Sequence, residues 1–397
     1  MTSSWITQLG NWNPQLLREF RGRLRPRSLV AAIALSIIFQ GLLLLIFFRS
    51  NEYLTSDDWF SLWMGLSRAF PYVLFCVGGF YLVNNLAQEE KSGTLNFIRL
   101  SPRPAWQILL GKLFGVPILP AIAIGSIFPL HLISAFLGNV PILLCFSYYL
   151  MLGVGCLFFW CLAILIGLTA SHRSGLAGQA TTISIAYAAI AFIALVPLWY
   201  SWNTWIAWFP IVQDNPAFDR IASGVEWSWI AINKTFIISH GFTLVNYGII
   251  LFLLWRVMLR RFQRPRTTLL SRRQSYGIMA YTLVFVLGFF LNSNFLSTDQ
   301  DLSRVNNRWD LFYASAMGAM LLLTYVLTLM LMGAICPRRQ ALMEWSRQSK
   351  QGMLGMIWAD RSPITVSSAV LLIIANGIIV PFIVIFSYGR EDQNILN

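Results

Sequence analysis

Nine runs of predominantly apolar residues, near 28–48, 69–88, 114–137, 141–169, 177–199, 244–259, 276–294, 313–335 and 364–387, constrain this chain more than any other feature. Lipid offers no partner to a free backbone N–H or C=O, so a segment that crosses it satisfies its backbone internally, as a helix of about 20 residues. The expected fold is therefore all-α, a polytopic helical membrane protein of about nine transmembrane helices. The sixth run is short, and the fourth is long enough to tilt. Charged residues make up only 11% of the chain, whereas a water-soluble surface carries about a quarter.

Orientation follows from Lys and Arg in the short loops, because the cytoplasmic side holds the excess. With the N-terminus inside, the inner segments carry 22 Lys or Arg against 5 Asp or Glu, and the outer segments 6 against 11. This places the N-terminus in the cytoplasm and the tail from Gly389 to Asn397 in the periplasm. The basic residues are spread over five inner segments, which suits topology and anionic membrane lipid, with no nucleic-acid partner expected. Arg68, at the outer edge of the second run, is expected to snorkel to the headgroups. The residues before Ser28 lack the short apolar core and cleavage site of a secretory signal, so the first helix is expected to remain as an anchor. Cys76, Cys145, Cys156, Cys161 and Cys336 fall in or beside apolar runs and imply neither a disulfide framework nor a metal site.

The chain divides into an amphipathic segment, 1–27, a six-span block, 28–265, and a three-span extension, 266–397, with the basic linker Arg260 to Arg273 at the junction. In the first segment Asn13 is a good N-cap and Pro14 suits the first helical position. Leu16, Leu17, Phe20 and Leu24 then recur at helical spacing among Arg18, Glu19, Arg21, Arg23 and Arg25, a pattern for a helix lying in the interface plane. Such a helix is either a topogenic anchor or a docking element.

The inner loop 89–113 is the most informative. It reads Glu89-Glu90-Lys91-Ser92-Gly93-Thr94-Leu95, then Leu100-Ser101-Pro102, then an apolar stretch ending in Gly111-Lys112. Two short helices are expected, the second capped by Ser101 with Pro102 in its first turn. On physical grounds such a loop either seats in a partner's groove or lies solvated at the interface.

This order of an acidic residue, Gly-Thr-Leu, Leu-Ser-Pro and Gly-Lys after the second span resembles the coupling region of ABC-2 type transporter permeases. Asn13-Pro14 with Leu17-Arg18-Glu19 is similar to that family's connecting helix. The resemblance covers the first six spans. It implies a six-helix ABC-2 type core with three extra helices, in a bacterial inner membrane, acting as the permease of an exporter. It further implies that an ATP-binding cassette ATPase docks on Glu89, Glu90, Gly93, Thr94, Leu95, Ser101, Pro102, Gly111 and Lys112. A second permease copy or a paired permease would complete a dimer. The stretch from Pro337 to Pro363 resembles an extension found in some bacterial, notably cyanobacterial, members.

ATP chemistry needs a Gly-rich loop closing on Lys and Ser or Thr, and Gly111-Lys112 is followed by Leu113 with no such loop before it. No catalytic residue, metal site or cofactor is expected on this chain; ATP and Mg belong to the partner. The outer segment 201–243, rich in Trp and including Asp214, Asp219, Glu226 and Trp229, is expected to be a long connector; the resemblance implies an outer gate there, while the residues alone also suit an interfacial aromatic cap. His131, inside the third run, lacks a carboxylate relay partner and reads as a hydrogen-bonded packing residue; His240 lies beside the sixth run and His172 in a tight inner turn with Arg173, while Asn84 and Asn85 read as ties between helices. Asn233-Lys234-Thr235 matches a glycosylation pattern by chance. Two other classes remain open: an ion-coupled secondary transporter, which would want midplane carboxylates and related halves, and a non-ABC membrane enzyme, which would want an acid–His cluster at one face.

Overall fold

The structure is a computed structural model that describes residues 8, 10–50, 55–170, 180–212, 226–227, 230–232, 234–265, 267–290, 306–337, 339–348 and 353–395. His172 with Arg173, Asp214, Asp219, Trp229, Asn233, and the pair Asp299 and Asp301 lie outside the described residues. The fold is helical and multi-pass. Eight helices among the described residues are long and apolar enough to cross a membrane: Pro26–Ile46, Ser56–Lys91, Ile118–Leu137, Ile142–Thr169, Thr181–Val212, Phe236–Gln263, Gly318–Ile335 and Ile364–Pro381. The seventh expected run is also helical, as Arg272–Phe290. It opens on Arg272-Arg273-Gln274, which keeps it out of the eight.

The chain separates into two compact units, one of Met1–Gly224 with Ile232–Pro265 and one of Val225–Ala231 with Arg266–Asn397. In the first, α1 (Pro14–Arg23) precedes α2 (Pro26–Ser50) and α3 (Ser56–Pro71). A π-helical turn, Tyr72–Val77, joins α3 to α4 (Gly78–Lys91), so the second span is one long helix. It begins well before the expected residue 69. Thr55 and Asp58 form a capping box that satisfies the first N–H groups, and Asp57 and Asp58 sit favourably at the positive end of the helix. After the short α5 (Thr94–Arg99) come α6 (Ala105–Gly115), α7 (Ile118–Leu137), α8 (Ile142–Ala170) and α9 (Ala180–Ile190). The fifth span then continues through π-turns Ala191–Leu195 and Asn203–Trp208, with α10 (Val196–Trp202) between them and α11 (Phe209–Val212) after. Ser201 to Val212 is thus membrane helix instead of the start of a long connector. The sixth span, α12 (Phe236–Gln263), is of full length rather than short.

The core of this unit lies where the second span meets α8 and α9. Leu82, Val83 and Leu86 are fully buried there, and Phe75 stacks on Phe159 at 4.2 Å between centroids. A π-turn leaves carbonyls out of the regular ladder, and in lipid these need partners. Trp160 Nε1 donates to Leu74 O (2.9 Å), and Tyr187 Oη to Phe75 O (3.3 Å) and Phe159 O (3.1 Å). Tyr187 reaches this position because Gly79 has no side chain. A Cβ there would fall 2.1 Å from the tyrosine ring. Helix α2 is held to α7 by polar ties, with Ser36 Oγ donating to Ala123 O (2.9 Å) and Gln40 Nε2 to Ser126 O (3.3 Å).

The second unit holds a two-residue hairpin, β1 (Glu226–Trp227) and β2 (Ile230–Ala231), and α13 (Arg272–Phe290), α14 (Asn306–Ile335), α15 (Arg339–Gln348), α16 (Met353–Trp358) and α17 (Ile364–Ile395). Trp227 Nε1 donates to Phe285 O (2.9 Å) and packs where Gly288 leaves room. Arg272, almost wholly buried, donates from Nη2 to Ser362 O (2.7 Å), and Tyr276 Oη donates to Ile357 O (3.0 Å), which ties the start of α13 to the segment before α17.

Gly79→Ala is expected to destabilise the first unit by about 1–3 kcal/mol through overpacking against Tyr187. Gly65→Ala, where a Cβ meets nothing within 4 Å, leaves stability unchanged or slightly raised. Thermal unfolding of the purified variants in detergent checks the contrast.

Candidate functional site

The N-terminal helix and the 89–113 hairpin, separated by some seventy residues of sequence, are built into one another. Asn13 caps α1, its Oδ1 accepting from Leu16 N at 3.0 Å, while its Nδ2 donates to Gln107 O on α6 at 2.8 Å. One side chain therefore starts the helix and pins it. Pro14 follows at the first helical position, where its missing N–H is no loss. Helices α1 and α6 then cross at backbone distance. A Cβ at Gly111 would lie 2.8 Å from Leu16 N and 2.9 Å from Asn13 Oδ1, and one at Gly115 would lie 2.6 Å from Glu19 Cβ. Two glycines one helical turn apart on α6 are what permit this approach.

Close packing places Lys112, which is fully buried, between two carboxylates. Its Nζ stands 2.6 Å from Glu89 Oε2 and 3.4 Å from Glu19 Oε1, and it donates to Asn85 Oδ1 at 3.0 Å. Arg18 Nη2 reaches Glu89 Oε1 at 2.9 Å and Glu19 Oε1 at 3.4 Å. Arg23 Nε lies 3.4 Å from Glu19 Oε2, and Gln15 Nε2 donates to Glu19 Oε1 at 2.9 Å. Burial pushes the Glu19 pKa up, but the charges of Lys112, Arg23 and Arg18 outweigh it and hold the carboxyl below its ordinary value of 4.5. The group is a polar knot joining α1, the end of α4 and α6.

Beyond the knot the hairpin is rigid. Gly93 takes the left-handed conformation (φ 73°) that ends α4 and starts α5. Thr94 Oγ1 donates to Glu89 O at 3.2 Å, and Glu90 pairs with Arg99 at 3.2 Å. The Arg99 guanidinium in turn sits 5.7 Å from the centre of the Phe262 ring. Leu95 is sealed into the core. Ser101 does not cap the next helix. That helix begins only at Ala105, after Pro104, because Pro102 and Pro104 each turn the preceding residue away from helical geometry.

The expected site residues therefore separate into groups. Asn13, Glu19, Leu95, Gly111 and Lys112 are buried within the chain, Leu17, Glu89, Glu90, Gly93 and Ser101 are half-buried, and Pro14, Arg18, Thr94 and Pro102 are exposed. Sequence reasoning left Phe97 (77% exposed) out, and named Leu100 (83% exposed) only within the Leu-Ser-Pro order, not as a contact; these are the apolar side chains that project from α5 and its end. It also passed over Gly115. The spacing of Leu95, Phe97 and Leu100 around a short helix holds the relevant signal, since one buried residue dictates which others face out. Asn85 ties α4 to α6 through its bond with Lys112, whereas Asn84 Oδ1 accepts from Gln88 Nε2 at 3.3 Å one turn along the same helix and joins no second one.

Residues 19–207, which contain the second half of α1, the whole hairpin, four spans and most of a fifth, match the family model described as ABC-2 family transporter protein. No curated protein and no solved structure gives a match.

Lys112→Met leaves two buried carboxylates uncompensated and is expected to destabilise the α1–α6 junction by about 3–5 kcal/mol. Arg18→Ala, at a half-exposed position, changes it by less than about 1 kcal/mol. Glu19→Gln in the Lys112→Met background recovers part of the loss, and hydrogen-exchange protection of Pro14–Arg23 reads all three. The sign of the pH effect follows from the depressed Glu19 pKa. Its stabilisation is complete above the ordinary carboxyl value of 4.5 and is lost as pH falls through the lower folded value. Protection factors of Pro14–Arg23 should stay flat from about pH 7 to about pH 5 and fall only in stronger acid.

Proposed function

The chain is an ABC-2 family transporter membrane component through residues 19–207, and from that premise we propose that it is the permease of an ATP-driven exporter whose hydrolysis occurs on a separate ATP-binding cassette subunit. The observation that carries this reading is the polar knot at Lys112. A push on α5 meets a hairpin that is braced, through Glu89 and Glu19, against both the second span and the N-terminal helix. Because Leu95 anchors α5 inward, Phe97 and Leu100 project as a pair of apolar knobs into which a partner's groove fits. Lys91, Thr94 and Arg103, near them in sequence, are also exposed.

In this mechanism the partner ATPase supplies ATP and Mg chemistry and closes on nucleotide. The chain's own residues convert that closure into rigid-body motion: the knobs receive it, the knot keeps α1, α4 and α6 moving together, and the second span carries it across the membrane. The positive-inside bias supports a cytoplasmic hairpin and N-terminus with a periplasmic C-terminus, and the family resemblance supports a bacterial inner membrane. A second copy or a paired permease completes the pathway. The basic inner segments rest against anionic lipid.

Affinity purification of the full chain in mild detergent is expected to recover a nucleotide-binding ATPase. Phe97→Asp with Leu100→Asp should reduce that recovery at least tenfold while leaving thermal unfolding unchanged, since both side chains are exposed. Leu95→Asp should instead lower the unfolding temperature itself, because it buries an unpaired charge. Undiminished ATPase recovery by the Phe97 and Leu100 double variant would overturn the docking surface. Transport by the chain alone under an ion gradient would favour a secondary transporter instead.

A further inference from the structure

Ser67, His131 and Tyr148 are almost wholly buried in the half of the first unit nearer Ser56. Polar groups at such depth persist only when paired, and here each one is. Ser67 Oγ meets His131 Nε2 at 2.8 Å, His131 Nδ1 meets Tyr149 Oη, and Tyr148 Oη donates to Ser67 O at 2.9 Å. The rings of Trp63 and Phe70 close over the imidazole at 5.7 and 4.9 Å between centroids. A satisfied network of this kind holds its side chains in one arrangement.

What it holds is one wall of a cavity. Ser67 and Tyr148 line it together with Trp63, Tyr200, Thr204 and Trp208, and its volume is about 40 Å³. By the same measure a water molecule occupies about 10–15 Å³, so the space admits a small apolar group of about three heavy atoms. Thr204 and Trp208 come from the π-turn Asn203–Trp208, whose widened register turns both toward the cavity.

Beside this aromatic chamber stands a cation. Arg68 is exposed, with its guanidinium 6.0 Å from the centre of the Tyr200 ring and Nη2 3.3 Å from Met64 Sδ, and both of those residues line the cavity. It makes no ion pair among the described residues. It stands about two helical turns along the second span from Phe60, whose backbone abuts Gly138 at the end of α7. A guanidinium with no carboxylate beside it among the described residues, set against an aromatic wall, suits an anionic group.

We propose that this cavity and Arg68 together form a binding site for an anionic amphiphile, its acidic group on the guanidinium and a terminal or branching apolar group in the aromatic chamber. The site rests on the permease reading for its meaning, as the place where a transported acidic lipid-like molecule is held, but its existence is tested without any ATPase. The second-span position of Ser67 and Arg68 joins it by one continuous helix to Glu89 and the hairpin.

The full-length protein in phosphatidylcholine nanodiscs is titrated with bromine-labelled dodecanoate and, separately, bromine-labelled dodecanol, with tryptophan fluorescence as the readout. A saturable quenching phase is expected above the linear background of lipid partitioning. Arg68→Gln, on an exposed face, should weaken the saturable phase for the carboxylate about fivefold and leave the alcohol unchanged. Thr204→Trp, which fills the chamber, should remove that phase for both probes. Purely linear quenching in the unaltered protein, or undiminished carboxylate binding by Arg68→Gln, overturns the proposal. A saturable site in a chain that recovers no ATPase keeps this site and sinks the permease reading; ATPase recovery without saturable quenching does the reverse.

Discussion

A lysine ammonium sealed from water between two carboxylates is the interaction on which the cytoplasmic-side architecture expected here depends. Lys112 is fully buried, and Glu19 is nearly so. Neither charge is tolerable alone, so α1, α4 and α6 either assemble together or leave an uncompensated ion in a low-dielectric setting. Buried ion pairs are weak sources of net stability, and their attested value is in specifying one arrangement over others. Here the arrangement specified is the seating of an N-terminal helix against a hairpin some seventy residues away. Gly111 and Gly115 make it sterically possible, and Asn13 marks where it begins.

The same logic of obligatory satisfaction runs through the membrane-spanning part. Three π-turns interrupt two long helices, and each displaces carbonyls that lipid cannot solvate. Around the first of these, Trp160 and Tyr187 supply the missing donors and thereby bind α8 and α9 to the second span. Trp160 and Tyr187 are thus placed where backbone irregularity demands a donor. The apolar surface that remains, as on α2, faces outward without internal partners.

The legibility of the fold in the sequence followed the range of the forces involved. Membrane helices announce themselves locally, and the apolar runs near 28–48, 114–137 and 141–169 correspond closely to α2, α7 and α8. Where a helix is extended by a capping box, as at Thr55, or by π-turns through a Trp-rich stretch, as at Ser201 to Val212, hydropathy alone stops short. At the hairpin, Gly93 turns the chain through its backbone conformation alone. The residues grouped with it as contacts for a partner turned out to have different surroundings. Leu95, Gly111 and Lys112 face inward, whereas Phe97 and Leu100 face out. Nothing in the hairpin itself indicates that its lysine needs a glutamate from α1, because complementarity between distant charges leaves no trace in local periodicity.

By itself, then, the sequence determined the lipid solvent, the helical class and most of the described crossings, because each depends on the composition or spacing of neighbouring residues. Only the tertiary structure decided which side chains are partners and which are surface. Burial, the pairing of Lys112 with Glu19 and Glu89, and the chamber beside Arg68 are properties of helices brought together, and close packing in lipid is what brings them there.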